Sequence, residues 1–328
     1  MNILITGGAG YIGSHVVKEL KGTENKIVVF DNLQKGHEDS IKGVSFIEGD
    51  LSDKELLDDT MKDFNIDAVI HLAADSLVGE SMENPKKYYK NNVSNGITLL
   101  NIMVENNVKY IVFSSTAAVY GKPDSTPITE ENETKPTNVY GETKLIFENM
   151  LKRYENAYGI KYISLRYFNA SGADESGKIG EDHNPESHLI PIVMQVLLGQ
   201  RDKIYIFGDD YETRDGTCIR DYIHVTDLAN AHILALKSLE NVNKSNIFNL
   251  GNGKGFSVKE VIDMIEKVTG KEIKKEISDR REGDPDVLIA SSDKIKKELG
   301  WKPKFNDLES IIKTAWKWHK NNPDGYED

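Results

Sequence analysis

The sequence predicts an α/β fold in which a Rossmann-type, doubly wound parallel sheet is followed by a smaller mixed α/β domain. Three observations predict it. Short β-branched runs alternate with longer segments of helical spacing in the first half of the chain, a glycine-rich loop joins the first strand to the first helix, and the alternation ends near Asn169. Such alternation is typical of a parallel sheet covered on both faces. We therefore expect ligands beyond the carboxyl ends of the strands.

The first domain is expected to span residues 1–168, because the alternation runs through all of it. The predicted strands are Asn2–Thr6, Ile27–Phe30, Val44–Ile47, Ala68–His71, Tyr110–Ser114 and Tyr162–Tyr167. The predicted helices between them are Tyr11–Lys21, Asp53–Phe64, Asn84–Glu105 and Val139–Tyr158. Each strand is a short run bounded by turn residues, and each helix carries apolar residues at helical spacing.

Residues 169–328 are expected to form the smaller domain. It opens with a Gly-, Asp- and Glu-rich stretch, Ser171–Ser187, and ends in a polar tail, Asn321–Asp328, that we expect to be frayed or loosely docked. Segments near residues 225–250 again have helix and strand character, and we expect them to return to the large domain. The elements predicted here are a helix at Leu189–Leu198, a strand at Ile204–Phe207, a helix at Val225–Leu239 and a strand at Ile247–Leu250.

Composition excludes several function classes. The 328 residues carry a formal net charge of −12, which opposes nucleic-acid binding and requires a few local cationic groups for any anionic substrate. Cys218 is the only cysteine, so no intrachain disulfide can form, and a cytoplasmic location is expected. No apolar run approaches the length that spans a bilayer, so no membrane partner is expected.

The loop after the first strand has the features of a phosphate-binding turn. Gly7, Gly10 and Gly13 follow the strand directly, and Gly8 with the latter two matches the spacing GxGxxG. Glycines there permit a tight turn and close backbone approach to a pyrophosphate, while the helix N-terminus offers free N–H groups. The alternative is a glycine-rich turn without a ligand, but the strand before the loop and the helix after it favour a dinucleotide.

Asp31 ends the second strand at the expected distance from this loop. A carboxylate there can accept hydrogen bonds from both ribose hydroxyls and repels a 2′-phosphate, which favours NAD over NADP. Lys35 is close in sequence and weakens that preference. The alternative for Asp31 is an ordinary turn residue at a strand end.

Tyr140 and Lys144 are the candidate catalytic pair, because four residues within a helix place both on one face. Of the 14 tyrosines only Tyr140 has Lys four positions later, yet about one such pair is expected by chance. Its position after Ser114, Ser115 and Thr116, which end a strand, makes the pair informative. A surface Tyr with a solvated Lys is the alternative.

The chemistry explains why these residue types occur together. A phenol with a pKa of about 10 is a poor base at neutral pH, and we expect the Lys144 ammonium and a positive nicotinamide ring to lower that pKa. Thr116 can hydrogen-bond the reacting hydroxyl and help pass its proton to Tyr140.

These features together resemble the extended short-chain dehydrogenase/reductase family, and within it the UDP-glucose (UDP-galactose) 4-epimerase branch over nearly the whole chain. The segments Asp215–Ala229 (DGTCIRDYIHVTDLA) and Arg280–Asp284 (RREGD) are the more specific to that branch. The other similar segments are Thr6–His15, Val78–Ser81, Ser114–Gly121, Tyr140–Lys144, Leu165–Ala173 and Asn249–Gly253.

The resemblance implies NAD as cofactor, a UDP-sugar as substrate and a homodimer formed by helices of the large domain; no metal is expected. Catalytic roles fall on Thr116, Tyr140 and Lys144. Cofactor contacts fall on Gly7, Gly10, Tyr11, Ile12, Gly13, Asp31, Asn32, Asp50, Leu51, Ala73, Asn91, Ser114, Tyr140, Lys144 and Phe168. Substrate contacts fall on Thr116, Asn169, His188, Leu189, Tyr205, Phe207, Arg220, Arg281 and Asp284.

Several of these roles have structural alternatives. The alternative for Asp50 is a carboxylate near a helix N-cap, and the alternative for Phe207 is an aromatic residue of the core. Two arginines gripping a diphosphate suit an acidic protein, because guanidinium groups bind oxygens two at a time. For Arg280 we favour surface solvation or ion pairing.

The implied reaction interconverts UDP-galactose and UDP-glucose by NAD-dependent oxidation and non-stereospecific re-reduction at C4, through a 4-keto intermediate. The alternatives are 4-epimerisation of UDP-N-acetylglucosamine or UDP-glucuronate, a sugar-nucleotide dehydratase, or a non-catalytic dinucleotide sensor. Ala117 and Ala118 follow Thr116 without a carboxylate, which opposes a dehydratase. Thr116 stands where many members have Ser, and Leu288 borders the implied sugar pocket, where a residue of intermediate size leaves acceptance of N-acetylated sugars open.

Overall fold

The structure, a computed structural model, describes residues 1–281 and 285–327. Its strands are β1 (Asn2–Thr6), β2 (Lys26–Asp31), β3 (Ser45–Glu48), β4 (Ala68–His71), β5 (Tyr110–Ser114), β6 (Lys161–Tyr167), β7 (Asn169–Ser171), β8 (Ile204–Phe207), β9 (Ile219–Arg220), β10 (Tyr222–His224), β11 (Asn246–Leu250), β12 (Phe256–Ser257), β13 (Lys275–Ser278) and β14 (Val287–Leu288). Its α-helices are α1 (Tyr11–Lys21), α2 (Lys54–Asp63), α3 (Val78–Glu83), α4 (Pro85–Tyr88), α5 (Asn95–Glu105), α6 (Val139–Tyr158), α7 (Leu189–Leu197), α8 (Val225–Val242), α9 (Val258–Thr269), α10 (Asp293–Leu299) and α11 (Leu308–Asn321).

A seven-stranded sheet in the order β11-β6-β5-β4-β1-β2-β3 forms the centre of the molecule. Every neighbouring pair in it is parallel. Its central strands, such as Ile3–Ile5 and Val69–Ile70, are fully buried apolar runs, as expected when helices cover both faces. The predicted Rossmann-type sheet is confirmed.

Two apolar layers lie on opposite faces of this sheet. On one face α1 and α8 pack through residues such as Val16 and Leu236. On the other face α2, α5 and α6 pack through residues such as Leu57, Leu100 and Phe147. Strand β11 lies beside β6, so the segment that contains α8 and β11 belongs to this sheet although it follows residue 168.

The remaining elements form small sheets and a separate apolar cluster. The small sheets are β10-β7, β12-β9-β14 and β13-β8. Helices α7, α9 and α11 bury residues such as Val193, Ile265 and Ile312 against them. Among the described residues, no helix combines the length and apolar character needed to cross a bilayer.

The prediction of a helix over Asn84–Glu105 is confirmed in its bounds, because residues 85–105 are helical without a gap, although in three segments of which the middle one is π-helical. A helix already begins at Val78 and is interrupted at Asn84, whose side chain caps α4 by accepting from Lys87 N. Pro85 then starts α4, because proline has no N–H and cannot continue a helix from within. A π-helical segment, Tyr89–Ser94, follows before α5 begins.

The C-terminal tail up to residue 327 is docked. The Tyr326 N–H donates to Asp182 Oδ2 at 3.0 Å. Its ring stacks on His37 with centroids 4.6 Å apart and packs against Trp318 at 4.8 Å. These contacts tie the end of the chain to the loop after β2 and to α11.

Candidate active site

The glycine loop has no room for side chains at Gly7 and Gly13, where it packs against the protein, and it is open at Gly10. Gly7 has φ +73°, and a Cβ there would lie 2.5 Å from Ala73 N. A Cβ on Gly13 would lie 2.2 Å from Gly7 O. Gly10 is the N-cap of α1, and a Cβ on it would meet only Gly7 O, at 3.5 Å. The first turn of α1 therefore presents its N–H groups and positive dipole end on an open face, the arrangement that binds phosphates.

Asp31 is buried at the end of β2, next to this loop. Its Oδ2 accepts from Ala9 N and its Oδ1 from Leu33 N, both at 2.9 Å. Burial raises the pKa of Asp31, and the two amide hydrogen bonds act against burial. Each oxygen keeps a lone pair for a further donor. Lys35, which weakened the preference for NAD, donates to the carbonyl oxygen of Asn184.

Asp50 and Asn32 form a polar pair after neighbouring strands. Asn32 Nδ2 donates to Asp50 Oδ2 at 2.9 Å, and Asn95 Nδ2 donates to Asp50 Oδ1 at 3.3 Å. Burial raises the pKa of Asp50, but hydrogen bonds from Ser52 and Asn32 outweigh burial and lower it. The N-cap of α2 is Asp53, and Asp50 lies three residues before it, so Asp50 also stands near a helix N-cap as the structural alternative expected.

The carboxyl end of β5 carries the hydroxyl groups that the sequence singled out. Ser114 Oγ lies 2.7 Å from His232 Nε2 on α8. Ser115 Oγ donates to Glu148 Oε1 at 2.6 Å and so points into the protein rather than towards the loop. Thr116 is the N-cap of a short 3₁₀ turn and accepts from Ala118 N at 3.1 Å.

Helix α6 brings Tyr140 and Lys144 to the end of β5. The helix is capped by Asn138, whose Oδ1 accepts from Gly141 N at 2.8 Å. A Cβ on Gly141 would lie 2.5 Å from Ala118 O, so glycine permits the close approach of α6 to the turn after Thr116. Lys144 Nζ donates to Ser114 O at 2.8 Å and lies 6.0 Å from the centroid of the Tyr140 ring.

Burial dominates the ionisation of this pair. Burial raises the pKa of Tyr140 to about 12, and a hydrogen bond with Thr116 opposes burial. Burial lowers the pKa of Lys144 to about 7, and Glu148 opposes burial. The phenol pKa is therefore raised by the protein's own environment, whereas the predicted lowering included the nicotinamide ring together with Lys144 and stays a prediction. The ammonium is turned towards Ser114 O, and removal from water dominates for both residues.

Two residues near this pair were missed by the sequence reasoning. Tyr167 is half-buried near Tyr140, and desolvation, followed by the charge of Tyr140, raises the pKa of Tyr167 well above its usual value. Glu148 is buried and forms an ion pair with Arg166 at 2.5 Å. Its position four residues after Lys144 on the same helix was the available signal for Glu148. Tyr167 carried no such signal, because its proximity to Tyr140 depends on strand pairing.

The predicted substrate residues lie on the smaller sheets and around them. Tyr205 and Phe207 are both on one face of β8 and are 44% and 36% exposed, so Phe207 is not a core aromatic. The Arg281 guanidinium lies 4.2 Å from the centroid of the Phe207 ring. Arg280 instead pairs with Asp210 at 2.5 Å, as favoured for it.

Other predicted substrate residues lie on β7, on β9 and at the start of α7. Asn169 begins β7, and its Nδ2 donates to Asp221 O at 2.9 Å, next to Arg220 at the end of β9. His188 is the N-cap of α7, and its N–H donates to Glu186 Oε1 at 2.8 Å. Asp284 lies outside the described residues.

The remaining predicted cofactor residues are placed as follows. Asn91 Nδ2 donates to Asp75 Oδ2 at 2.6 Å, in the segment after β4. Tyr11 OH donates to Gly172 O at 2.7 Å, which links α1 to the loop after β7. Ile12, Leu51, Ala73 and Phe168 are buried or half-buried apolar residues, and Leu189 begins α7 half-buried. The cofactor set thus gathers at the carboxyl ends of β1, β2, β4 and β5, one edge of the sheet.

Known proteins resemble this chain over its full length. A model of the NAD dependent epimerase/dehydratase family matches residues 3–251. The UDP-glucose 4-epimerase of Halalkalibacterium halodurans is 59% identical over 326 residues, 99% of this chain and 98% of the relative. A crystal structure of a UDP-glucose 4-epimerase covers 100% of both chains with 56% identity and a TM-score of 0.98. The Bifidobacterium longum UDP-glucose 4-epimerase in complex with NAD+ and UDP shares 39% identity, with a TM-score of 0.93, over 99% of this chain and 100% of that one.

Proposed function

The chain belongs to the NAD dependent epimerase/dehydratase family, and we propose that it interconverts UDP-galactose and UDP-glucose by oxidation and re-reduction at sugar C4. The observation that carries the proposal is the position of Tyr140, Lys144 and Thr116 at the same sheet edge as the glycine loop and Asp31. This edge combines a dinucleotide cradle with a proton-transferring group, which is what reversible alcohol oxidation requires.

The residues of the large domain fit NAD. The open face of the glycine loop can receive the pyrophosphate, and Asp31 can accept from the adenosine ribose while disfavouring a 2′-phosphate. When bound there, NAD would supply reversible hydride transfer at C4, with no net consumption over a cycle. We assign this binding to residues 1–168 with the returning segment near 225–250, and UDP-sugar binding to the rest of 169–328.

Tyr140 acts as the base and then as the acid at the sugar 4-hydroxyl. With a pKa of about 12 the phenol remains protonated at neutral pH, so it needs a further positive charge nearby to ionise. The oxidised nicotinamide ring is the cationic group that such a site supplies. Thr116 hydrogen-bonds the phenol. It would also hydrogen-bond the reacting hydroxyl, and Lys144 would hold the nicotinamide ribose.

Inversion requires a firmly held UDP and a loosely held hexose. Arg220 and Arg281 grip the diphosphate with Asn169, because permanently charged, bidentate donors are needed in a chain of net charge −12. The exposed faces of Tyr205 and Phe207 flank the uracil. The 4-keto sugar can then turn about its bond to the diphosphate and present its other face.

The assay for this function needs no added cofactor. Purified protein mixed with UDP-galactose alone should produce UDP-glucose until equilibrium is reached, because resident NAD is not consumed. A protein that converts UDP-galactose only in step with added NAD, and forms NADH, is a dehydrogenase and would contradict the proposal.

We also propose that the enzyme is a cytoplasmic homodimer that pairs through α5 and α6. The large apolar side chains Ile97 and Tyr158 are exposed on these helices, as are Val78 and Met82 on the neighbouring α3. Exposed apolar patches of this kind commonly mark protein interfaces. The cytoplasmic location is supported by Cys218 as the only cysteine. Light scattering should give twice the 36.8 kDa chain mass, and a mass of one chain would contradict the dimer.

A further inference from the structure

Four side chains converge in the loop before α7, and only one of them, His188, also belongs to the predicted substrate contacts. They are Glu181, His183, Glu186 and His188, and one candidate ligand atom from each lies within 4.8 Å of all the others. His188 Nδ1 lies 2.7 Å from Glu181 Oε1 and 3.3 Å from Glu186 Oε1. His183 Nδ1 lies 3.3 Å from Glu181 Oε1 and 3.9 Å from Glu186 Oε2.

One buried carboxylate oxygen of this group faces only imidazole nitrogens. The side chains of Glu181 and Glu186 are each only 3% exposed. Glu181 Oε1 accepts no hydrogen bond from any other group of the described residues, and it lies 2.7 Å from His188 Nδ1 and 3.3 Å from His183 Nδ1. A buried carboxylate oxygen costs free energy unless a partner compensates its charge.

The two carboxylates also concentrate negative charge beside the phosphate loop. The ring of Tyr11 packs edge-on against the ring of His183, with centroids 6.1 Å apart. Tyr11 begins α1 directly after the glycine loop. Uncompensated anions at this point would oppose a pyrophosphate at the same helix end, so a compensating cation is physically favoured.

We propose that Glu181, His183, Glu186 and His188 bind one divalent transition-metal ion, for which Zn²⁺ is the best match. A tetrahedral Zn²⁺ with bonds of about 2.0–2.2 Å holds its ligand atoms about 3.3–3.6 Å apart. Of the four distances above, two are 3.3 Å, one is shorter and one is longer. Two imidazoles with two carboxylates suit zinc, whereas Mg²⁺ and Ca²⁺ prefer oxygen ligands alone. Zn²⁺ also neutralises both carboxylates while the imidazoles stay neutral.

The site is structural, because its loop joins three parts of the molecule. Trp318 Nε1 on α11 donates to Glu181 O at 3.0 Å. The neighbouring Asp182 lies 3.4 Å from His37 Nε2, in the loop after β2. The last ligand, His188, is the N-cap of α7. A metal ion here fixes the loop against both the phosphate-binding end of the large domain and the start of α7.

The competing explanation is a set of imidazolium–carboxylate ion pairs. Burial lowers the pKa of His188, but Glu181 and Glu186 outweigh burial and raise it to about 10. Protons on the imidazoles could therefore compensate the same carboxylates without a metal. The two explanations differ in whether the protein takes up zinc.

Zinc content of the untagged, full-length protein with its resident cofactor decides between them. After exposure to micromolar Zn²⁺ and gel filtration, mass spectrometry of the metal should find about one zinc ion per chain. The double variant His183→Gln/His188→Gln should hold at least about tenfold less. His37→Gln is the matched control, because His37 is a half-buried histidine beside Asp182 but outside the four ligands, and it should hold as much zinc as the unaltered protein.

Three further measurements use the unaltered protein and so do not depend on how the variants fold. Co²⁺ in place of Zn²⁺ should give the intense visible absorption of a tetrahedral site, and crystals grown with Zn²⁺ should show an anomalous peak between the four ligand atoms. Added Zn²⁺ should also raise the melting temperature of the unaltered protein. Zinc content no higher in the unaltered protein than in the double variant, with no anomalous peak, would overturn the proposal in favour of ion pairs. None of these readouts depends on catalytic turnover, so failure of the zinc proposal would not contradict the proposed epimerase activity, and failure of the epimerase assay would not contradict the zinc site.

Discussion

The edge of the large sheet and the surface of the small sheets differ in their proposed roles and in how their residues are brought together. At the large-sheet edge, Tyr140 and Lys144 come from one helix, and the glycine loop joins one strand to one helix. At the small sheets, Phe207 and Arg281 come from separate segments that meet across space. The first region must hold reacting atoms in a fixed geometry, whereas the second must bind UDP while the sugar turns. Changes in the first should therefore alter kcat, and changes in the second should alter KM.

The largest effect is expected for Tyr140→Phe. This variant removes the acid/base oxygen and leaves the ring, so kcat should fall by about 10²–10⁴-fold with an unchanged melting temperature. Conversion of UDP-galactose measures the effect. Tyr154→Phe on the same helix is the control. The Tyr154 hydroxyl lies outside the site and donates to Asn101 Oδ1 with a hydrogen-bond length of 2.7 Å, so this variant should keep a normal kcat. A Tyr140→Phe variant with near-normal turnover would refute the assigned role.

Lys144→Met tests the electrostatics of the same region through stability. Because burial lowers the pKa of Lys144 to about 7, the unfolded chain holds the proton more tightly than the folded protein does. This group therefore makes the free energy of unfolding rise with pH between about 7 and the ordinary lysine value, and it destabilises the protein below that window. Denaturant titrations at several pH values should show a smaller rise for Lys144→Met.

A matched control for that experiment is Lys152→Met, because Lys152 is an exposed lysine on the same helix. It should retain the slope of the unaltered protein. Equal pH dependence in Lys144→Met and the unaltered protein would mean that Lys144 is not destabilised by burial.

Adjacent arginines provide the test for the second region. Arg281→Ala should raise KM for UDP-galactose by about 10–100-fold with a smaller change in kcat, since it removes a charged donor to the diphosphate. Arg280→Ala should change KM little, because Arg280 already pairs with Asp210 on the surface. Steady-state kinetics of the two variants separate the roles. Equal changes in KM for the two variants would show that the loss of any positive charge in this region weakens substrate binding, and that Arg281 makes no specific contact with the diphosphate.

The two regions also differ in how far the sequence predicts them. The strand–loop–helix pattern around Gly7–Gly13 and the spacing of Tyr140 and Lys144 are local, so the sheet edge and the pair could be placed from the sequence. The direction of the Tyr140 pKa shift could not be, because it depends on burial by elements far away in the chain. The spacing of residues along a helix predicts their relative positions, whereas the solvent exposure of a group, and with it the pKa, depends on the whole fold.

The segments that were mispredicted or missed follow the same rule. The helix expected over Asn84–Glu105 starts where the cap at Asn84 and Pro85 place it, but its π-helical segment Tyr89–Ser94 was not predicted. The convergence of Glu181, His183, Glu186 and His188 was not predicted, because an irregular loop has no period from which side-chain directions can be inferred. Docking of Tyr326 on His37 likewise depends on tertiary packing alone.

The smallest effect is expected at Leu288, which lies where the two regions meet. Leu288 is half-buried on β14 and packs with Phe168 against the cluster that follows Thr116. By resemblance, a smaller residue at this position admits N-acetylated sugars, so Leu288→Ala should raise the ratio of UDP-N-acetylgalactosamine to UDP-galactose turnover by about tenfold. Leu145→Ala, another half-buried residue of the same cluster on α6, controls for a general loosening of the packing. An equal change of the ratio in both variants would mean that looseness, rather than the size of the residue bordering the sugar, sets the substrate range.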